Sequence, residues 1–190
     1  MDTQPPDAAT GARPTRRRHL VLLLWGLAAS VLVLDQATKQ LALRFLEGRD
    51  PVPLVGDLLS LRLLFNPGAA FSMATGMTWV LSLVAVVVVV VIVRIARRLG
   101  SRGWAVALGL LLGGAVGNLV DRLTQPPGFG RGHVIDFIAY WDWFVGNVAD
   151  IAIVSAAVLI VLLGMLGIGV DGTRESAGQD RPAQGEDDGA

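Results

Sequence analysis

His133-Val-Ile-Asp136-Phe-Ile-Ala-Tyr-Trp-Asp-Trp-Phe-Val-Gly-Asn147-Val-Ala-Asp150 runs straight into Ile151 to Val170, an apolar stretch without a charge. A helix needs roughly 20 such residues to cross the hydrocarbon core of a bilayer, so Asp150 stands at the mouth of a membrane helix. An ionisable residue there is costly, which makes it a candidate functional residue. Asp136 lies fourteen positions earlier, after a short polar loop. The segment between them reads as a loop that can fold back and bring the two carboxylates to one membrane edge. Such a pair points to acid–base chemistry or ion handling.

The rest of the chain decides between these. Its 190 residues are 53% hydrophobic, and the apolar residues gather in four long runs at about 19–43, 77–95, 103–123 and 148–168. The expected fold is an all-α integral membrane protein of four transmembrane helices, with a small extracytoplasmic β-sheet and an interfacial loop. The formal net charge is zero, but the charges are segregated to the ends and the connecting loops. The chain has no cysteine and only two histidines, His19 and His133. That excludes disulfides, thiolate sites, a cysteine nucleophile and a multi-histidine metal centre; no metal and no cofactor are expected.

Residues 1–18 end in Arg16-Arg17-Arg18 and lack core-forming residues, so they read as a disordered basic tail. The run after them has no convincing small-residue cleavage site and is read as a retained first span with its arginine flank in the cytoplasm. Asp35 and Lys39 sit four apart on one face near the outer end of that helix. Two readings stay open: a helix-end ion pair with Lys39 reaching for the interface, or membership of a functional site, for which Asp35 is the stronger candidate because it lies deeper.

Asp50-Pro-Val-Pro-Leu-Val-Gly-Asp57 punctuates a loop, and Leu58 to Phe65 is β-compatible. The small sheet is therefore expected within residues 45–75, at the interface, since open sheet edges are not tolerated in hydrocarbon. Asn66-Pro-Gly alone is a turn signal. The second span ends in Arg94, Arg97, Arg98 and Arg102, a cytoplasmic loop by the distribution of basic residues. In the third, Gly113 and Gly117 form a small-xxx-small pair suited to close helix packing. Asn118 and Arg122 share a face at its outer end, while Asp121 points elsewhere and reads as ordinary interfacial charge. Tyr140, Trp141 and Trp143 look like interfacial aromatics, and Asp142 between the tryptophans reads as solvated. The acidic stretch 171–190 reads as a second disordered tail around a 19–170 membrane domain. With both termini inside, Asp35, Asn66, Asn118, Asp136, Asn147 and Asp150 converge on the outer face.

In these blocks the chain resembles the lipoprotein signal peptidases (signal peptidase II), membrane aspartic proteases. The blocks are Asp35-Gln-Ala-Thr-Lys39, Asn66-Pro-Gly68-Ala-Ala70-Phe71-Ser, Gly113-Gly114-Ala-Val-Gly-Asn118-Leu-Val-Asp-Arg122, Val134-Ile-Asp136-Phe and Asn147-Val-Ala149-Asp150. They follow the family's order over about residues 20–168. The resemblance implies that Asp136 and Asp150 are the catalytic pair. It also implies that Asp35, Lys39, Asn66, Gly68, Ala70, Phe71, Gly114, Asn118, Arg122, Asn147 and Ala149 bind substrate or support the site.

The implied reaction is removal of the signal peptide from diacylglyceryl-modified prolipoproteins by cleavage just before the lipidated lipobox cysteine. The implied setting is the cell membrane, with the active site at its outer face; the expected partners are the prolipoprotein substrates and membrane lipid, with no nucleic acid and a monomeric state. The alternative, a small proton-coupled transporter or channel, is disfavoured because the polar residues gather at one face and do not line a path across the bilayer. Three departures from the family pattern bear on loop shape: a short Asp136–Asp150 interval, Gly146 where an aromatic usually precedes Asn147, and a long glycine-rich Arg122–Asp136 connection.

Overall fold

The computed structural model describes residues 13–68 and 78–174. Four of its helices are long and apolar enough to cross a membrane: α1 (Arg13–Leu46), α2 (Thr78–Ile95), α3 (Arg102–Thr124) and α4 (Val148–Met165). Helix α1 overruns the expected span at both ends, so the basic flank from Arg13 is already helical. Valine-, leucine- and alanine-rich runs build α2 and α4, and both leave large apolar side chains exposed, among them Leu83 and Val87 on α2 and Val154 and Val158 on α4. For a membrane helix this is the lipid face.

Helix α3 is the centre of the bundle and touches the other three. Its glycines permit this. A Cβ on Gly113 would lie 2.7 Å from the Ala28 carbonyl of α1, and one on Gly114 would lie 2.6 Å from the Ala149 carbonyl of α4. Consecutive glycines thus serve opposite neighbours. The expected Gly113–Gly117 pair does line one interface, that with α1: Gly113 meets Ala28 and Val31, and Gly117 makes room for the Asp35 carboxylate, 2.6 Å from where its Cβ would be. Away from the polar end, Leu20 and Leu24 of α1, Ile92 of α2 and Leu108 and Leu112 of α3 fill a common core.

A four-stranded antiparallel sheet caps one end, in the order β1 (Val52–Val55), β2 (Leu59–Asn66), β3 (Val134–Tyr140), β4 (Phe144–Gly146). This corrects the expectation for 45–75 and for the Asp136–Asp150 connection. The sheet draws half its strands from beyond α3, and the supposed fold-back loop is a hairpin. The physical reason is burial on both faces of β3, which yields a continuous apolar run in place of alternation: Val134, Ile135, Phe137 and Ala139 are all buried. Phe137 packs with Ala42 and Leu46, seating the sheet on the end of α1. The β3–β4 turn holds Trp141 at φ 51, an uncommon conformation for a bulky residue. Trp141 and Trp143 are exposed, with rings 5.5 Å apart, as interfacial aromatics would be. Asp142 is exposed.

At the opposite end the chain after α4 folds against the α2–α3 turn. Gly100 N and Ser101 N donate to the Val170 carbonyl at 2.9 and 3.2 Å, and Trp104 Nε1 donates to the Ile168 carbonyl at 2.7 Å. The start of the expected acidic tail, through Arg174, belongs to this structure.

Candidate active site

Asn147 holds the two candidate carboxylates together. Its Nδ2 donates to Asp136 Oδ1 at 2.6 Å, and its backbone N donates to Asp150 Oδ2 at 3.1 Å. The second contact is half of a capping box that starts α4: Asn147 Oδ1 in turn accepts from Asp150 N at 2.9 Å. The local rule that begins a helix with a polar cap and an acid three residues on therefore also fixes Asp150. Asp136 is reached from β3, where Leu64 of β2 pairs with it.

Each carboxylate then takes a second amide. Asn66 Nδ2 donates to Asp136 Oδ2 at 2.7 Å, and Asn118 Nδ2 donates to Asp150 Oδ1 at 2.9 Å. Gly68 orients the first of these: its N–H donates to Asn66 Oδ1 at 2.8 Å, leaving the amide nitrogen for Asp136. Gly68 has φ 113, which a side chain would strain. Asn118 Oδ1 accepts from Lys39 Nζ at 3.0 Å and from Asn147 Nδ2 at 3.2 Å, which sets its orientation in the same way.

Beneath the asparagines lies an ionic layer. Lys39 is fully buried, with Nζ 2.8 Å from both Asp35 Oδ2 and Asp121 Oδ2. The structure therefore decides the open question about Lys39: it does not reach for the interface. It also corrects the reading of Asp121 as ordinary interfacial charge. Asp121 is 1% exposed, and it accepts from Ile135 N at 3.1 Å and from Gln36 Nε2 at 3.1 Å. Sequence reasoning missed Asp121 and Gln36. The available signal was the lysine itself, since a buried ammonium must be matched by acceptors on neighbouring helices.

Asp35 Oδ1 accepts from Ala149 N at 2.9 Å, so Ala149 contributes its backbone to the layer, while Gly114 and Gly117 set its depth. Arg122 is 9% exposed and its charge acts on Asp136, Asp121 and Asp150. Its Nη1 finds no hydrogen-bond partner among the described residues. Two further expected site residues, Ala70 and Phe71, lie outside the described residues.

Burial pushes the Asp136 carboxyl up to about 6; the neighbouring Asp150 charge adds to the rise, and the bonds from Asn66 and Asn147 oppose it. Asp136 is 1% exposed, whereas Asp150 is partly exposed and opens on a cavity of about 390 Å³ walled by Tyr140, Phe144, Ile151 and Val154. Gly146 explains part of that wall. A Cβ there would lie 2.5 Å from Phe144 Cε1 and 3.0 Å from Asp150 Oδ2. The Phe144 ring, stacked on Tyr140 at 6.1 Å, thus occupies the space next to the glycine. A pair of carboxylates held by amides, one of them buried and raised, can activate a water and supply a proton.

The model of the family described as Signal peptidase (SPase) II matches residues 27–166. The chain belongs to the signal peptidase II family. The lipoprotein signal peptidase of Rhodococcus jostii (strain RHA1) is 52% identical over 174 residues, covering 92% of this chain and 87% of that protein. That of Mycobacterium avium (strain 104) is 50% identical over 183 residues, covering 93% and 99%. A bacterial membrane enzyme solved by the in meso method at 2.3 Å resolution shares the fold, with a TM-score of 0.65 at 23% identity over 78% of this chain and 88% of that one. All the residues singled out above, from Asp35 to Asp150, fall within the span matched by the signal peptidase II model.

Proposed function

We propose that Asp136 and Asp150 are the catalytic pair with which this signal peptidase II cleaves prolipoproteins, just before a diacylglyceryl-modified cysteine, at the outer edge of the membrane. The protein is an aspartic peptidase of lipoprotein processing, embedded in the membrane by four helices. The observation that carries the residue assignment is Asn147, bonded to both carboxylates at once.

Two like charges so placed do not both ionise readily, so the pair keeps one proton. The ionised member takes a proton from water as its oxygen attacks the scissile carbonyl. The protonated member hydrogen-bonds that carbonyl oxygen. When the tetrahedral intermediate collapses, a proton passes to the departing amine of the cysteine and the pair returns to its single-proton state. Asn66, Asn118 and Asn147 keep both carboxylates in position throughout. Arg122, buried and with a free Nη1 among the described residues, supports a donor role toward a substrate carbonyl or the glyceryl ester. The apolar cavity beside Asp150 suits a substrate whose acyl chains stay in lipid.

The test is mass spectrometry of a lipobox peptide incubated with the purified protein. Cleavage directly before the diacylglyceryl cysteine is expected, with the unlipidated peptide resisting. Cleavage elsewhere, or equal cleavage of both peptides, contradicts the reading.

The orientation is proposed from the arginines. Arg16 to Arg18 and Arg94 to Arg102 flank the bundle end away from the site, and this clustering of basic residues supports a cytoplasmic position for that end. In this cysteine-free chain, Pro53→Cys and Phe129→Cys should react with an impermeant thiol reagent added outside intact cells, and Arg98→Cys should not. The reverse pattern overturns the orientation.

A further inference from the structure

We propose that the bundle end opposite the carboxylates carries a binding site for the phosphate ester of an anionic phospholipid headgroup, formed by Arg16, Arg17, Arg97 and Arg98. These arginines line a cavity of about 390 Å³ together with Leu20, Leu99, Gly100 and Asp171. Both leucines are buried, at 4% and 2% exposure, so the cavity combines four basic side chains with apolar ones from the bundle core.

The frame of the site is fixed by contacts independent of any ligand. Arg17 donates to the Arg97 carbonyl, tying the start of α1 to the turn after α2. Gly100 and Ser101 bond to Val170, and Gly100 is packed so tightly on Asp171 that any side chain there would strike its backbone. Asp171, the acid in the wall, is turned to its own loop: Oδ1 accepts from Thr173 N at 3.0 Å and Thr173 Oγ1 at 2.7 Å. Among the described residues no carboxylate lies within ion-pair distance of the four arginines. An arginine fork matches phosphate geometry with paired donors, and basic pockets between membrane helices are where such headgroups bind. The helix from Arg16 to Asp35 is about 28 Å long, so the site lies a bilayer core away from the peptidase pair and does not depend on which residues cleave.

The experiment is native mass spectrometry of the full-length protein in detergent, titrated with phosphatidylglycerol, with phosphatidylcholine, and with phosphatidylglycerol in millimolar inorganic phosphate. Saturable binding of phosphatidylglycerol is expected, little of phosphatidylcholine, and no displacement by free phosphate. Arg16→Gln and Arg98→Gln should each weaken binding roughly fivefold and together about thirtyfold, while Arg62→Gln, on β2 at the other end, should leave it unchanged. Arg16 and Arg98 are chosen because neither makes the Arg17–Arg97 tie, so folding is spared. The site is overturned if the double variant binds like wild type, or if phosphatidylcholine binds equally. Displacement by phosphate would show a free-anion site, and binding seen only after deletion of residues 176–190 would assign the arginines to the chain's own acidic tail; either result contradicts the proposal.

Discussion

Asp35 and Asp121 bind the same ammonium, that of Lys39, each at 2.8 Å. Each also holds the backbone amide immediately before a proposed catalytic residue. Asp35 takes Ala149 N, before Asp150, and Asp121 takes Ile135 N, before Asp136. One lysine on α1 thereby sets the spacing of two aspartates that arrive on different elements, α4 and β3. Buried ion pairs are seldom a net source of stability. Here the arrangement supplies registry between a helix bundle and a sheet.

Removing the lysine should therefore be worse than removing the lysine with one of its partners. Lys39→Met leaves two buried carboxylates without a cation, at a cost of about 3–5 kcal/mol. Lys39→Met combined with Asp121→Asn should recover part of the lost thermal midpoint, measured in one detergent. A Lys39→Met protein as stable as wild type, or a double variant less stable by the sum of the single losses, would show that the three groups are not coupled.

Gly114 meets the α4 backbone beside Ala149. Gly114→Ala should destabilise by roughly 1–3 kcal/mol through overpacking and move Asp150. A displacement on the order of 1 Å can lower turnover about 100-fold. Gly26, with nothing within 4 Å of its Cβ position, is the control, and Gly26→Ala should be near neutral in both assays. Equal behaviour of the two variants would refute the packing argument.

The pH dependence follows from Asp136, raised to about 6 chiefly by burial. A carboxyl so raised is protonated below that value and ionised above it, so kcat/KM should fall as pH rises through about 6 and the pair loses its shared proton. The Asn66 amide favours the ionised form. Asn66→Leu removes that donor, so the alkaline limb should move to higher pH while the maximum drops. A limb that moves to lower pH would contradict the proposed balance.

The four spans were legible because their apolar runs have bilayer length, and the carboxylate pair because charge at the mouth of such a run is costly. The hairpin carrying Asp136 was not. Val134 to Tyr140 is buried on both faces apart from Ile138 and Tyr140, so it lacks the alternation by which a half-buried strand is recognised. Asp121 escaped for a different reason. Beside Arg122 it resembles a surface ion pair, and only the packing of α3 against α1 turns it toward Lys39. Gly113 and Gly117 face α1 together, as their spacing suggests, but the role of Gly114 against α4 depends on α3 lying between two helices, which spacing along one helix cannot express.

The most direct test of the catalytic assignment is the cleavage rate of a diacylglyceryl lipobox peptide by wild type, Asp136→Asn, Asp150→Asn and the double variant, with exposed Asp142→Asn as the control. Each single variant should accumulate in the membrane as wild type does and lose roughly 10⁴-fold or more in rate, with the double variant little worse, because members of one catalytic unit are strongly non-additive. Asp142→Asn should cleave normally. Near-wild-type cleavage by Asp136→Asn or Asp150→Asn would contradict the account.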